Sequence, residues 1–102
     1  MCGITALFNA GLYLKEDIIK SFNKGSVRGP EYTSYNTLNN AFIGFHRLAI
    51  NGLDDKSHQP INLNRKNVYL ICNGEIYNWK ALREILKDEI TYQTNSDCEI
   101  II

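Results

Sequence analysis

The sequence predicts an α+β domain built mainly on antiparallel strands. Three observations predict it. Gly3–Phe8 and two further runs, residues 32–38 and 41–50, read as strands. The second and third of these meet across Asn39-Asn40, a hairpin-type join that makes neighbours antiparallel. Well-defined helical spacing of apolar residues occurs in only two long segments, residues 14–24 and 79–87.

Each element follows from its residues. In Gly3–Phe8, Ile4, Ala6 and Phe8 alternate with Thr5 and Leu7, so both faces are largely apolar and the strand is expected to be buried on both sides. Leu14, Ile18 and Phe22 lie four apart, with Ile19 alongside, as one stripe of an amphipathic helix; Gly25 is the expected stop. Arg28-Gly29-Pro30-Glu31 reads as a turn, after which the 32–50 hairpin begins. Residues 51–59 are polar and form a loop closed by Pro60. Residues 61–63 and 68–72 suggest a second hairpin across 64–67, and Asn73-Gly74 breaks its outgoing strand. Asn78 is a natural N-cap for a helix that puts Trp79, Leu82 and Leu86 on one face. Residues 91–93 suit a short strand. Ser96-Asp97-Cys98-Glu99 has the form of a capping box and should open a helix on residues 99–102. One turn closing on three isoleucines cannot sustain itself, so residues 1–102 are expected to be one domain truncated at its C-terminus.

Composition narrows the function classes. Eleven basic and eleven acidic residues cancel, without a basic stripe for nucleic acid or a polybasic run for a membrane surface. An apolar content of 44% suits a packed domain. The N-terminus lacks the cationic start of a signal peptide. Cysteines at 2, 72 and 98 form no Cys-x-x-Cys pair, which argues against a disulfide framework or a zinc site and for a reducing, cytoplasmic setting. His46 and His58 have no partner at metal-ligand spacing and are read as structural.

The chemistry starts at the second residue. Removal of Met1 would leave Cys2 carrying a thiol nucleophile and a free α-amine, which titrates near pH 8 and so serves as its base. A hydrolytic thiol also needs donors for a developing oxyanion. Asn73 and Gly74 offer a side-chain NH₂ and an unobstructed backbone N–H; a plain Asn-Gly turn is the competing reading. Arg47, among apolar neighbours in its strand, calls for an anion and matches a carboxylate, a snorkelling or edge-strand arginine being the competing reading; Asp97 offers a partner for an ammonium or, alternatively, serves the helix dipole. The pair suits an α-amino acid, and glutamine is the natural candidate with an amide to attack. Cys72 reads as an inert core thiol. Cys98, in the first turn of a helix, is a weak rival whose pKa the helix dipole would lower.

These motifs, taken in order, resemble a known family. Met1-Cys2-Gly3-Ile4, Arg28-Gly29-Pro30, His46-Arg47-Leu48-Ala49-Ile50, Gln59-Pro60, Asn73-Gly74-Glu75-Ile76-Tyr77-Asn78 and Ser96-Asp97-Cys98-Glu99 look like the glutaminase domain of glutamine-hydrolysing asparagine synthetases, within the class II (N-terminal nucleophile) glutamine amidotransferases. The resemblance implies a four-layer αββα sandwich. It implies Cys2 as nucleophile, Asn73 and Gly74 as oxyanion hole, Arg47 for the glutamine α-carboxylate, and Asp97 with Glu75 for the α-ammonium. It implies no cofactor in this chain. ATP and magnesium would belong to a synthetase domain, in cis or trans, whose Ser-Gly-Gly-type pyrophosphate loop has no match here. An inactive or binding-only domain, and the glutaminase module of another class II amidotransferase, are the alternatives.

Overall fold

Strand β3 (Ala41–Arg47) lies between β1 (Gly3–Phe8) and β2 (Tyr32–Leu38) and pairs antiparallel with both, giving the sheet order β1-β3-β2 in a computed structural model. The structure describes residues 1–48, 55–62 and 67–102. The expected strand end at 49–50, the first part of the 51–59 loop (51–54), Leu63 and the turn at 64–66 lie outside the described residues. The protein is an α+β chain with one three-stranded antiparallel sheet and two α-helices among the described residues.

Register decides what each sheet face carries. Gly3 stands opposite His46, Ile4 opposite Phe45, Ser34 opposite Phe45 and Tyr32 opposite Arg47. Cross-strand partners point the same way. One face therefore gathers Leu7, Tyr35, Phe42, Gly44 and His46. Helix α1 (Lys15–Asn23) covers it, and the fully buried Phe22 is its anchor. The Phe22 ring meets Phe42 edge-on at 5.3 Å and stacks on the His46 imidazole at 4.1 Å. Gly44 lies directly beneath it: a Cβ there would sit 2.4 Å from the ring. Leu7, Ile18 and Ile19 complete the packing against the cluster of Ala10, Phe22 and Phe42.

His46 is structural, as expected. Its Nε2 lies 2.9 Å from the Phe22 carbonyl and its Nδ1 lies 2.8 Å from Thr33 Oγ1, so both ring nitrogens are engaged. The α-helix ends at Asn23 with Lys24 as its C-cap, just ahead of Gly25 as expected, but a 3₁₀ turn, Lys24–Arg28, carries the chain on, and Gly25 also admits the His46 ring, whose Cδ2 would lie 3.2 Å from a Cβ at that position.

The opposite face is half covered. Phe45 and Arg47 are buried, yet Ile4 is 48% and Phe8 74% exposed. The expectation that β1 is buried on both sides is therefore corrected for the described residues. Helix α1 covers only one face. On the other, the Ser34 hydroxyl donates to the Gln59 carbonyl and ties the chain near Gln59 to β2, on the far side of β3 from β1.

Among the described residues the second hairpin is reduced to one bridge, in which Ile61 and Leu70 exchange backbone hydrogen bonds of 2.9 Å each. The ladder stops because the Gln59 side chain takes both backbone groups of Cys72. No strand forms at 91–93 either, since the N–H groups of Gln93 and Thr94 donate to the Glu99 carboxylate at 2.6 and 2.7 Å. Helix α2 (Trp79–Leu86) begins where Asn78 predicts, although the Asn78 side chain makes no cap bond. Half of the capping box is present: Ser96 Oγ accepts from Cys98 N at 3.2 Å. Glu99 is drawn away, and a 3₁₀ turn, Asp97–Ile101, replaces the expected α-helix.

Candidate active site

One cavity of about 320 Å³ is lined by Cys2, Arg47, Asn73, Gly74, Glu75 and Asp97. Its volume is at the small end of the range for ligand sites. Residues from the start, middle and end of the chain thus share one space, delivered by β1, by the end of β3, by the 72–75 segment and by the 3₁₀ turn at 97.

Cys2 is half-buried. Leu48 N–H donates to its sulfur at 3.3 Å, and the thiol reaches the Leu48 carbonyl at 3.4 Å. Arg28 Nε donates to the Cys2 carbonyl at 3.3 Å, across 26 residues. Met1 lies at the cavity and is largely exposed, so its loss would cost no core packing.

Arg47 ends β3 and is only 6% exposed, on the same face as Phe45. Asp97 is buried as well, and its Oδ2 accepts from Ile76 N–H at 2.6 Å. That bond orients the carboxylate and joins it to the residue after Glu75. A guanidinium, a carboxylate, a thiol and the donors of Asn73 and Gly74 around one small cavity can hold a zwitterion and attack it.

The turn that carries Asp97 is held from behind. Arg83 of α2 donates to Thr94 O at 2.8 Å, Ser96 O at 3.1 Å and Glu99 Oε2 at 3.2 Å. Its guanidinium lies 4.7 Å from the Trp79 ring centre and 4.5 Å from that of Tyr92. Glu99, at 1% exposure, receives one Arg83 bond and the two backbone N–H groups of 93 and 94.

The other thiols depart from expectation. Cys98 is pushed up from 9.0 to about 12, first by burial, then by its hydrogen bond with Cys72 and the nearby charge of Asp97. A helix dipole was expected to lower it. The element is a single 3₁₀ turn of five residues, too short for a dipole to outweigh burial. Cys72 lies in no strand; it is half-buried, on the wall of the same cavity.

Three features escaped the sequence reasoning: the Leu48 N–H at sulfur, the Arg28 tie to Cys2 and the Gln59 clamp on Cys72. Only the Gln59-Pro60 pair closing a polar loop carried a signal, and its partner lay 13 residues away. Among the described residues no group of three or more His, Cys, Asp or Glu is arranged to hold a metal ion, and no helix is long and apolar enough to cross a membrane.

Comparison with known proteins fits this geometry. Over its whole length the chain is 44% identical to the asparagine synthetase [glutamine-hydrolyzing] of Rattus norvegicus, of which it covers 18%. It is 40% identical to a probable asparagine synthetase [glutamine-hydrolyzing] of Acanthamoeba polyphaga mimivirus, covering 19%. It is 32% identical to asparagine synthetase B [glutamine-hydrolyzing] of Escherichia coli K12, again covering 19%. The chain thus spans about a fifth of the length of these curated relatives. The model of the glutamine amidotransferase domain matches residues 1–102, and the chain belongs to that family.

Proposed function

We propose that the chain hydrolyses the side-chain amide of glutamine to glutamate and ammonia, with Cys2 as nucleophile. The observation that carries this reading is the convergence of Cys2, Arg47, Asn73, Gly74 and Asp97 on one cavity of amino-acid size. Met1 is removed first. The Cys2 thiol passes its proton to its own α-amine, and the sulfur attacks the amide carbon. The oxyanion takes hydrogen bonds from the Asn73 side chain and Gly74 N–H. The C–N bond breaks, the ammonium group returns its proton to the leaving nitrogen, and ammonia departs. Water, deprotonated by the same amine, then cleaves the thioester and restores the thiol. Arg47 holds the α-carboxylate; Asp97, with Glu75, holds the α-ammonium.

The family and the relatives support further parts of this reading. The three-stranded sheet with α1 on one face is taken as one sheet and one helical layer of an αββα sandwich. The ammonia would pass to a synthetase unit, in cis or trans, that amidates aspartate with ATP and magnesium. That unit would hold those cofactors, and no site in this chain is assigned to them. Three free thiols suit the reducing cytoplasm.

Intact-mass analysis and a glutaminase assay test the proposal together. The expected mass lacks Met1, glutamine is turned over, and a glutamine-like electrophile modifies Cys2. Cys2→Ala is expected to abolish turnover with the thermal midpoint unchanged. Turnover by protein that retains Met1, or near-normal turnover by Cys2→Ala, would overturn it.

A further inference from the structure

Resting on that reading, we propose that Gln59 is a positioning residue for the oxyanion hole. Gln59 is 6% exposed. Its Oε1 accepts from Cys72 N–H at 2.5 Å and its Nε2 donates to Cys72 O at 3.2 Å. One primary amide therefore pairs with both polar groups of a single backbone residue, as a neighbouring strand would. No such strand is present among the described residues, where pairing ends at the Ile61–Leu70 bridge. Gln59 is itself moored, because its carbonyl accepts from the Ser34 hydroxyl on β2.

The consequence falls on the next two residues. The Cys72 carbonyl and the Asn73 N–H belong to one planar peptide. Fixing the carbonyl fixes that plane, and with it the start of Asn73-Gly74. A hydrogen-bond donor serves an oxyanion only when it is already aimed, and a misplacement of about 1 Å can cost about 100-fold in rate. Gln59 makes none of the roles assigned to Arg47 and Asp97, so it should bear on kcat and leave glutamine affinity alone.

Two substitutions separate this role from general support of the fold. Gln59→Met keeps the length of the side chain and removes both bonds. The expected result is a fall in kcat of about 10- to 100-fold with KM within about 2-fold of wild type. Gln59→Glu supplies an internal control. An ionised carboxylate opposes the Cys72 carbonyl, whereas the protonated acid accepts from Cys72 N–H and donates to Cys72 O, as the amide does. The ratio of its kcat to that of wild type should rise as pH falls from about 8 to about 5.5. A ratio flat with pH, an unchanged kcat in both variants, or a loss carried mainly by KM would overturn the role of Gln59 and leave the glutaminase reading intact. Wild-type protein that hydrolyses no glutamine would overturn both.

Discussion

Burial, contact with Cys72 and the charge of Asp97 hold the Cys98 thiol protonated far into the alkaline range. The folded chain keeps that proton more tightly than the unfolded chain does. Stability referred to this group is whole below pH 9.0 and drains away as pH rises toward about 12, because the unfolded state ionises first. Cys98→Ala should flatten the alkaline fall of the thermal midpoint relative to wild type. Parallel curves for the two proteins above pH 9.0 would contradict the assignment. Arg47 makes a different prediction. In the proposed mechanism it holds a carboxylate that is the same in ground and transition states, so Arg47→Ala should raise KM by about 10-fold or more and change kcat little. Steady-state kinetics on glutamine would check this, and a pure kcat loss would place Arg47 elsewhere in the mechanism.

At the scale of elements, β1, β2, β3, α1 and α2 were legible because each rests on local information: alternation, a helical stripe, or an Asn-Asn turn. The segments that misled were those where a side chain replaces a backbone partner. Gln59 took the place of a strand beside Cys72, and Glu99 took the N–H groups that a strand at 91–93 would have offered. No periodicity records such substitutions, since the partner lies far along the chain or serves two purposes. The same holds for the site. Cys2, Arg47, Asn73, Gly74, Glu75 and Asp97 were nominated by residue type and motif, and all line the cavity. Arg28 was not, because its bond to the Cys2 carbonyl depends on where a turn places it. One element-level test concerns the contact of α1 with β3. Gly44→Ala puts a methyl into the Phe22 ring and should destabilise by about 1–3 kcal/mol in denaturant unfolding. A neutral result would mean that the helix shifts freely on the sheet.

Across the whole molecule the two sheet faces differ in kind. Phe42 lies at 1% exposure under α1, and Phe8 at 74% on the opposite face. Phe42→Ala should cost about 3–5 kcal/mol, whereas Phe8→Ala should change stability by about 0.5 kcal/mol or less. Equal costs in urea unfolding would show that the second face is covered in solution. The site belongs to the half-covered face: Arg47 shares the side of Phe45 and Ile4, and Cys2 directly precedes Gly3, which pairs with the neighbouring His46 at that end of the sheet. The bond from Arg28 to the Cys2 carbonyl has a consequence for handling the protein. It moors the second residue from its carboxyl side while Leu48 grips the sulfur, leaving only the nitrogen untethered. On the proposed mechanism, processing would free an amine whose residue is already held in place, and an affinity tag fused ahead of Met1 would abolish glutamine turnover without unfolding the chain.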